Sequence, residues 1–211
     1  MKAGLSNTPL FQAGKGWAYS NPGYGILKEI INAVAKQDYY SFIDQQIIQP
    51  LNFRSTRGFT APDYKRKLLK AEAPEINGDF RELYSPGWIA TGCFISKVTE
   101  ITEFYQALFS GKIISKDSLK EMTQSVEVPF PLPPPEIATY GLGLMHSKNA
   151  PLGEAFGHGG NGPGYTTFAS HYPNLNGRAV TVSIVLNKSF NFTPFELAKN
   201  IIKELLRADY S

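Results

Sequence analysis

Tyr19-Ser20-Asn21-Pro22-Gly23-Tyr24-Gly25 runs directly into Ile26, Leu27, Ile30, Ile31 and Val34, apolar residues spaced for one face of a helix. Asn21 reads as the N-cap. Pro22 reads as the first helical residue, where a missing N–H costs nothing because first-turn donors have no intrahelical partner. A second short stretch, His158-Gly159-Gly160, lies between two strand-like segments. The two stretches stand far apart in the chain, one in a helical region and one in a β region.

Helices come first. Asp38 caps a second predicted helix carrying Tyr39, Phe42, Ile43, Ile47 and Ile48, and Pro50 stops it, since the residue before proline avoids helical torsions. From about Arg54 to Tyr84 no period is sustained, and Pro62, Pro74 and Gly78 interrupt the run. So long an irregular excursion reads as a lid or substrate-facing insertion. Ser96 is expected to start the next helix, with Val98, Ile101, Tyr105 and Leu108 on one face and Gly111 beyond its end. Ser115 to Thr123 reads as another short helix. Pro129 to Pro135 reads as an extended surface connector.

The pattern then becomes two-fold. Tyr140 to His146 and Glu154 to Gly157 are short strand candidates, and Tyr165 to Tyr172 is a clearer one. Asn176-Gly177 supplies hairpin-turn chemistry. Arg178 to Asn187 is the strongest strand, with Val180, Val182, Ile184 and Leu186 on one face. Thr193, Pro194 and Glu196 form a capping box for a last helix with Ala198, Ile201, Ile202 and Leu205 on its apolar side. The expected architecture is α+β, with a two- or three-strand antiparallel meander closed by a C-terminal helix.

Composition excludes several function classes. The 211 residues carry 21 Lys+Arg against 18 Asp+Glu, and a net charge of +3 does not argue for nucleic acid or an anionic membrane surface. The run Lys65-Arg66-Lys67-Leu68-Leu69-Lys70 reads as a solvated face. A 42% hydrophobic fraction suits a globular core, and no apolar run reaches the ~20 residues of a membrane span. Cys93 is the only cysteine, so no internal disulfide forms; it reads as a small packing residue. The 3 histidines include no short-spaced pair, so a zinc site is not expected, and His146 and His171 read as structural or exposed; no cofactor is expected. Gly157, Gly159 and Gly162 fit G-x-G-x-x-G, but Pro163 and a β-like run follow where a dinucleotide site needs a helix. His158-Gly159-Gly160-Asn161 is similar to an α/β-hydrolase oxyanion loop, yet the chain has no G-x-S-x-G elbow. With Met1 as the true start the chain is expected in the cytoplasm; a removed N-terminus would place it in the periplasm or outside the cell.

In sequence order, Gly14-Lys15-Gly16-Trp17-Ala18-Tyr19-Ser20-Asn21, Pro50-Leu51-Asn52-Phe53, Gly87-Trp88-Ile89-Ala90-Thr91-Gly92-Cys93-Phe94-Ile95-Ser96 and His158-Gly159-Gly160 resemble segments of the serine β-lactamase and penicillin-binding-protein superfamily. The resemblance covers the chain from about Leu10 to the C-terminus. It implies one incomplete β-lactamase/transpeptidase-like domain over 1–211, mainly helical over about 10–125, with antiparallel strands and a C-terminal helix over about 138–211. It implies acyl-enzyme hydrolysis of peptide, amide or ester bonds. Tyr19 takes the proton-handling role and Asn21 the substrate-orienting amide. His158 takes the place of the third-motif lysine, Gly159 and Gly160 let substrate approach the strand, and the backbone N–H near Asn161 is one oxyanion donor. Histidine and glycine at 158 and 159 are more similar to D-aminopeptidases, DD-carboxypeptidases and esterases than to enzymes that destroy β-lactams.

One part of the pattern is missing. No serine or threonine among the 211 residues has a lysine three places on, so the Ser-x-x-Lys nucleophile motif is not in this sequence. The expectation is a chain inactive by itself, either the C-terminal portion of a serine hydrolase or a non-catalytic remnant binding peptides or another protein. Without the lysine, ionising the Tyr19 phenol at pH ~7 would take roughly 4 kcal/mol, so a neutral phenol is expected. By the same resemblance, the first strands of the superfamily pair beside its last strand. Arg178 to Asn187 is therefore expected to be an open edge, and the Ile26 to Val34 face to be uncovered. These surfaces would take an N-terminal complementing segment or drive self-association.

Overall fold

The computed structural model describes residues 8–59, 68–71, 79, 81, 93–132, 137–148, 152–162, 164–188 and 194–208. Helix α1 spans Asn21–Ala35. Its N-cap is Ser20, one residue earlier than the sequence predicts: the Ser20 backbone is extended, and its hydroxyl accepts the Gly23 N–H at 3.0 Å. Asn21 is therefore already helical, and its side chain is released from capping. Asp38 does cap α2 (Tyr39–Ile43), its carboxylate accepting the N–H groups of Tyr40 and Ser41. The helix then widens into a π-helical turn over Asp44–Ile48.

Of the excursion after Arg54, the described part contains β1 (Arg57–Gly58), which pairs antiparallel with β2 (Phe94–Ile95). Glu100 anchors this region. Its carboxylate accepts the Arg54 N–H at 3.0 Å, the Ser55 N–H at 2.9 Å and the Thr56 hydroxyl at 2.6 Å. Helix α3 is Val98–Phe109, with Lys97 rather than Ser96 before it, and α4 is Lys116–Thr123, capped by Ser115. Residues 65–67 of the basic run, the stretch 87–92, Pro133 to Pro135 and the Thr193 cap lie outside the described residues.

The sheet is larger than the pattern predicts. Six antiparallel strands follow one another as β3 (Val126–Leu132), β4 (Ile137–Tyr140), β5 (Met145–Ser147), β6 (Ala155–Gly162), β7 (Tyr165–Leu175) and β8 (Arg178–Leu186). The predicted strand Tyr140 to His146 is a hairpin of two strands, and part of the predicted proline connector is an edge strand. Proline is admitted there because an edge strand leaves some N–H groups without a ladder partner. At the β7–β8 turn, Asn176 (φ 52°) and Gly177 (φ 87°) both take left-handed torsions, which an Asn-Gly pair allows. Helix α5 (Pro194–Ala208) closes the fold.

Alternation along β7 sorts the core into two layers. Phe168 and Tyr172 face α5, where Ala155, Leu175, Ile184, Ala198 and Ile202 pack around them. Ala169 and His171 face α3, where Tyr105, Phe109, Leu144 and Phe156 pack. His146 and His171 are both buried, each 5% exposed. Phe156 stacks on His146 and Phe109 on His171, while Ser125 and Glu154 bond the first ring and Thr181 the second. They are structural histidines, and the exposed alternative is set aside.

Two apolar surfaces stay open among the described residues. Helix α1 buries no residue, and Ile26, Leu27, Ile30 and Val34 are exposed. Strand β8 ends the sheet order, and a groove of about 330 Å³ between β8 and α5 is lined by Val180, Ile202, Leu205 and Leu206.

Candidate active site

The first motif reaches the sheet because Trp17, two residues before Tyr19, packs into a cluster with Tyr140 and Met145. The Trp17 and Tyr140 ring centroids are 5.3 Å apart. This contact ties the segment before α1 to strand β4 and sets Tyr19 over the sheet. Tyr19 then lies edge-on to Tyr140 and beside His158, with centroid distances of 6.2 Å to each. Tyr19 is 43% exposed, so its ring faces solvent on one side and the sheet on the other.

His158 sits on β6 opposite Ala169 of β7. Its Nε2 is 3.0 Å from the Tyr140 hydroxyl, and its Nδ1 is 2.5 Å from the Gly159 carbonyl oxygen. The Tyr140 hydroxyl is also 3.4 Å from that of Tyr24 on α1. The structure thus brings Tyr19 and His158 together, with Gly159, Gly160 and Asn161 following on the same strand. Asn21 stands at the first position of α1, exposed. Gly160 and Asn161 are exposed at the end of β6, opposite Thr167 and Thr166.

The glycines differ. A Cβ at Gly159 would meet only ordinary contacts, and one at Gly160 would come within 2.6 Å of the Thr167 hydroxyl, a side-chain atom that can turn away. Gly157 is the constrained position: a Cβ there would lie 2.1 Å from the Ala169 carbonyl oxygen. Its smallness serves the sheet, one residue before His158.

The three rings that meet here are uncharged. Burial lowers the His158 imidazole below its usual value, outweighing the Gly159 hydrogen bond that raises it. Burial, and then the neighbouring Tyr24, push the Tyr19 phenol up. Burial likewise raises Tyr140 strongly, with Tyr24 adding to it. Two uncharged phenols and an uncharged imidazole can donate and accept hydrogen bonds but offer no cation. Among the described residues no group of three or more His, Cys, Asp and Glu gathers to hold a metal.

Tyr140, Trp17 and Tyr24 were missed by sequence reasoning. Tyr140-Gly141 looks like any strand end, and nothing local marks its hydroxyl as a partner for a ring on another strand.

Helices leading into a six-strand antiparallel sheet and a closing helix form part of the fold shared by serine β-lactamases and penicillin-binding proteins. The beta-lactamase family pattern matches residues 1–206, and the chain belongs to that family. Over 186 residues it is 27% identical to Penicillin-binding protein 4* of Bacillus subtilis (strain 168), covering 82% of this chain and 40% of that protein. A D-stereospecific amidohydrolase from Streptomyces sp. superposes with a TM-score of 0.69 at 28% identity, over 86% of this chain and 53% of the other. The D-amino acid amidase from Ochrobactrum anthropi SV3, crystallised with L-phenylalanine amide, superposes with a TM-score of 0.76 at 23% identity, over 93% of this chain and 59% of the other. That last likeness is one of fold. The chain spans about half the length of the relatives it matches. No helix among the described residues is long and apolar enough to cross a membrane.

Proposed function

We propose that the chain forms one wall of a serine-hydrolase site that opens amide, peptide or ester bonds through an acyl-enzyme. The observation that carries this reading is the meeting of Tyr19 and His158, from distant parts of the sequence, with ring centroids 6.2 Å apart at the junction of helices and sheet. In this reading Tyr19 is the phenol that passes a proton to or from the reacting group, and Asn21 is the candidate amide for orienting substrate. Gly159 and Gly160 border the substrate on β6, and the backbone N–H near Asn161 is the candidate oxyanion donor. The D-stereospecific amidohydrolase relative supports an amide bond as the one opened.

This chain by itself is inactive in the proposal, because a phenol and an imidazole, both neutral, have no serine–lysine pair to act on. The nucleophile comes from a further polypeptide segment. Its docking surface is the open edge of β8, the groove beside α5 and the apolar face of α1.

The test has two arms. The purified chain is incubated with a fluorescent penicillin and with an activated ester, and no covalent label is expected. DNA upstream of Met1 is then translated in all frames, and any Ser-x-x-Lys segment found is co-expressed with the chain. Labelling on the serine of that segment, lost in Tyr19→Phe, is the expected result. Acylation of a side chain on this polypeptide alone, or a complemented complex that stays unlabelled, overturns the proposal.

A further inference from the structure

Tyr140 touches both halves of the candidate site, and nothing in the motifs assigns it a role. Its hydroxyl is the hub of a short chain of polar contacts. Tyr24 is 3.4 Å away on one side, His158 Nε2 is 3.0 Å away on the other, and the His158 Nδ1 ends the chain 2.5 Å from the Gly159 carbonyl. The donors can be assigned from chemistry. A carbonyl oxygen only accepts, so Nδ1 carries a proton. In the neutral ring, Nε2 then holds a lone pair and must accept. The hydrogen-bond partner facing it is the Tyr140 hydroxyl, which therefore donates. That leaves the Tyr140 oxygen to accept from Tyr24. Every proton in the series points the same way, from α1 through β4 to β6.

The geometry points to Tyr140 as the positioning residue that caps the His158 Nε2 lone pair and, together with the Gly159 carbonyl, holds the ring in place as its neutral Nδ1–H tautomer. This rests on the reading of His158 as a site residue and extends it. Three features make the hold firm. Tyr140 is 4% exposed, so its hydroxyl does not exchange partners freely with water. Trp17 packs on its ring at 5.3 Å, limiting where the hydroxyl can swing. His158 carries a second bond, to its own neighbour Gly159, so the ring is pinned at both nitrogens. Second partners of this kind commonly set which nitrogen of a functional imidazole bears the proton. The consequence is a wall that presents an uncharged ring with its Nε2 lone pair already taken. Tyr140 does not touch the reacting atoms in this account; it acts through His158.

The test reads the ring nitrogens directly and needs no enzymatic activity. The ¹⁵N-labelled chain is studied at pH ~7.5 by long-range proton–nitrogen correlation. The three ring systems are assigned by their loss in His146→Gln, His158→Gln and His171→Gln. His158 is expected as a single tautomer, protonated at Nδ1 and bare at Nε2. In Tyr140→Phe the Nε2 resonance is expected to shift, as it loses its donor, while Nδ1 stays protonated against the Gly159 carbonyl. In Tyr24→Phe the tautomer is kept with a smaller shift. A wild-type His158 protonated at Nε2, or averaged between tautomers, overturns the inference even where Tyr140→Phe does not fold. So does a folded Tyr140→Phe, checked by circular dichroism, with unmoved His158 signals. The outcome is independent of whether any complemented protein is acylated, so failure here and failure of the hydrolase reading are separable.

Discussion

Replacing Gly157 and Gly159 by alanine, one at a time, tests the packing behind the histidine strand. The two residues flank His158 and share a face of β6, and neither has a left-handed φ, so alanine adds only a methyl group. At position 157 that methyl lies 2.1 Å from the Ala169 carbonyl oxygen, roughly 1.3 Å inside the 3.4 Å at which ordinary contact begins. The obstacle is backbone in β7, paired to a strand on each side, so it cannot rotate away. Overpacking of a close-packed interior costs about 1–3 kcal/mol, and a backbone obstacle places this case at about 3. At position 159 the nearest atoms are the Thr167 carbonyl at 3.7 Å and the Phe168 ring at 3.9 Å. Gly159→Ala should gain about 0.4–1 kcal/mol by restricting the unfolded chain. The two variants should thus differ by about 3–4 kcal/mol. At about 2–4 °C per kcal/mol for a chain of this size, their melting temperatures should stand about 10 °C apart, with Gly157→Ala the lower. Thermal melts and urea titrations followed by circular dichroism measure the difference. Two variants melting within about 2 °C of each other would refute the claim that β6 and β7 leave no room at 157.

Ile202→Ala should destabilise by about 2 kcal/mol, the low end for such truncations, because Ile202 borders the open groove beside β8 and water can fill the space; the urea midpoint reports it. Glu100→Ala should cost about 1–3 kcal/mol by stripping an acceptor from the Arg54 and Ser55 N–H groups, with the earliest loss of amide protection at those two residues. Burial lowers both His158 and His171 below the usual 6.5. Above that pH neither folded nor unfolded chain is protonated there, so stability is level. As pH falls below it the unfolded chain takes protons first, and stability should drop until the folded rings titrate too. His171→Gln should flatten that slope, and a urea midpoint unchanged from pH ~7 to ~5 in the parent protein would contradict it.

Local signals were legible where one residue's chemistry suffices. Asp38 caps α2, Asn176-Gly177 turns the β7–β8 hairpin, and Val180, Val182, Ile184 and Leu186 share one face of β8, all as read from the chain; that this face meets α5 came from the fold. The Ser20 cap was missed by one residue because serine and asparagine both cap well and only the backbone torsion distinguishes them. Strands β4 and β5, of 4 and 3 residues, are too short to display a period, so they merged into one expected strand. His146 and His171 gave no sign of burial, since an imidazole goes inside only when the fold supplies partners for its nitrogens.

The chain alone determined that a helical region precedes the main antiparallel strands, the β7–β8 hairpin turn and the motifs at Tyr19 and His158, because propensity, capping and periodicity act between near neighbours. The tertiary structure decided that these two rings meet, that Tyr140 joins them and that Gly157 must be small. Those facts depend on β4, β6 and β7 lying in one sheet beneath the segment before α1. Hydrogen bonds and steric overlap act over a few ångströms of space, and only the folded backbone brings such distant residues within that reach.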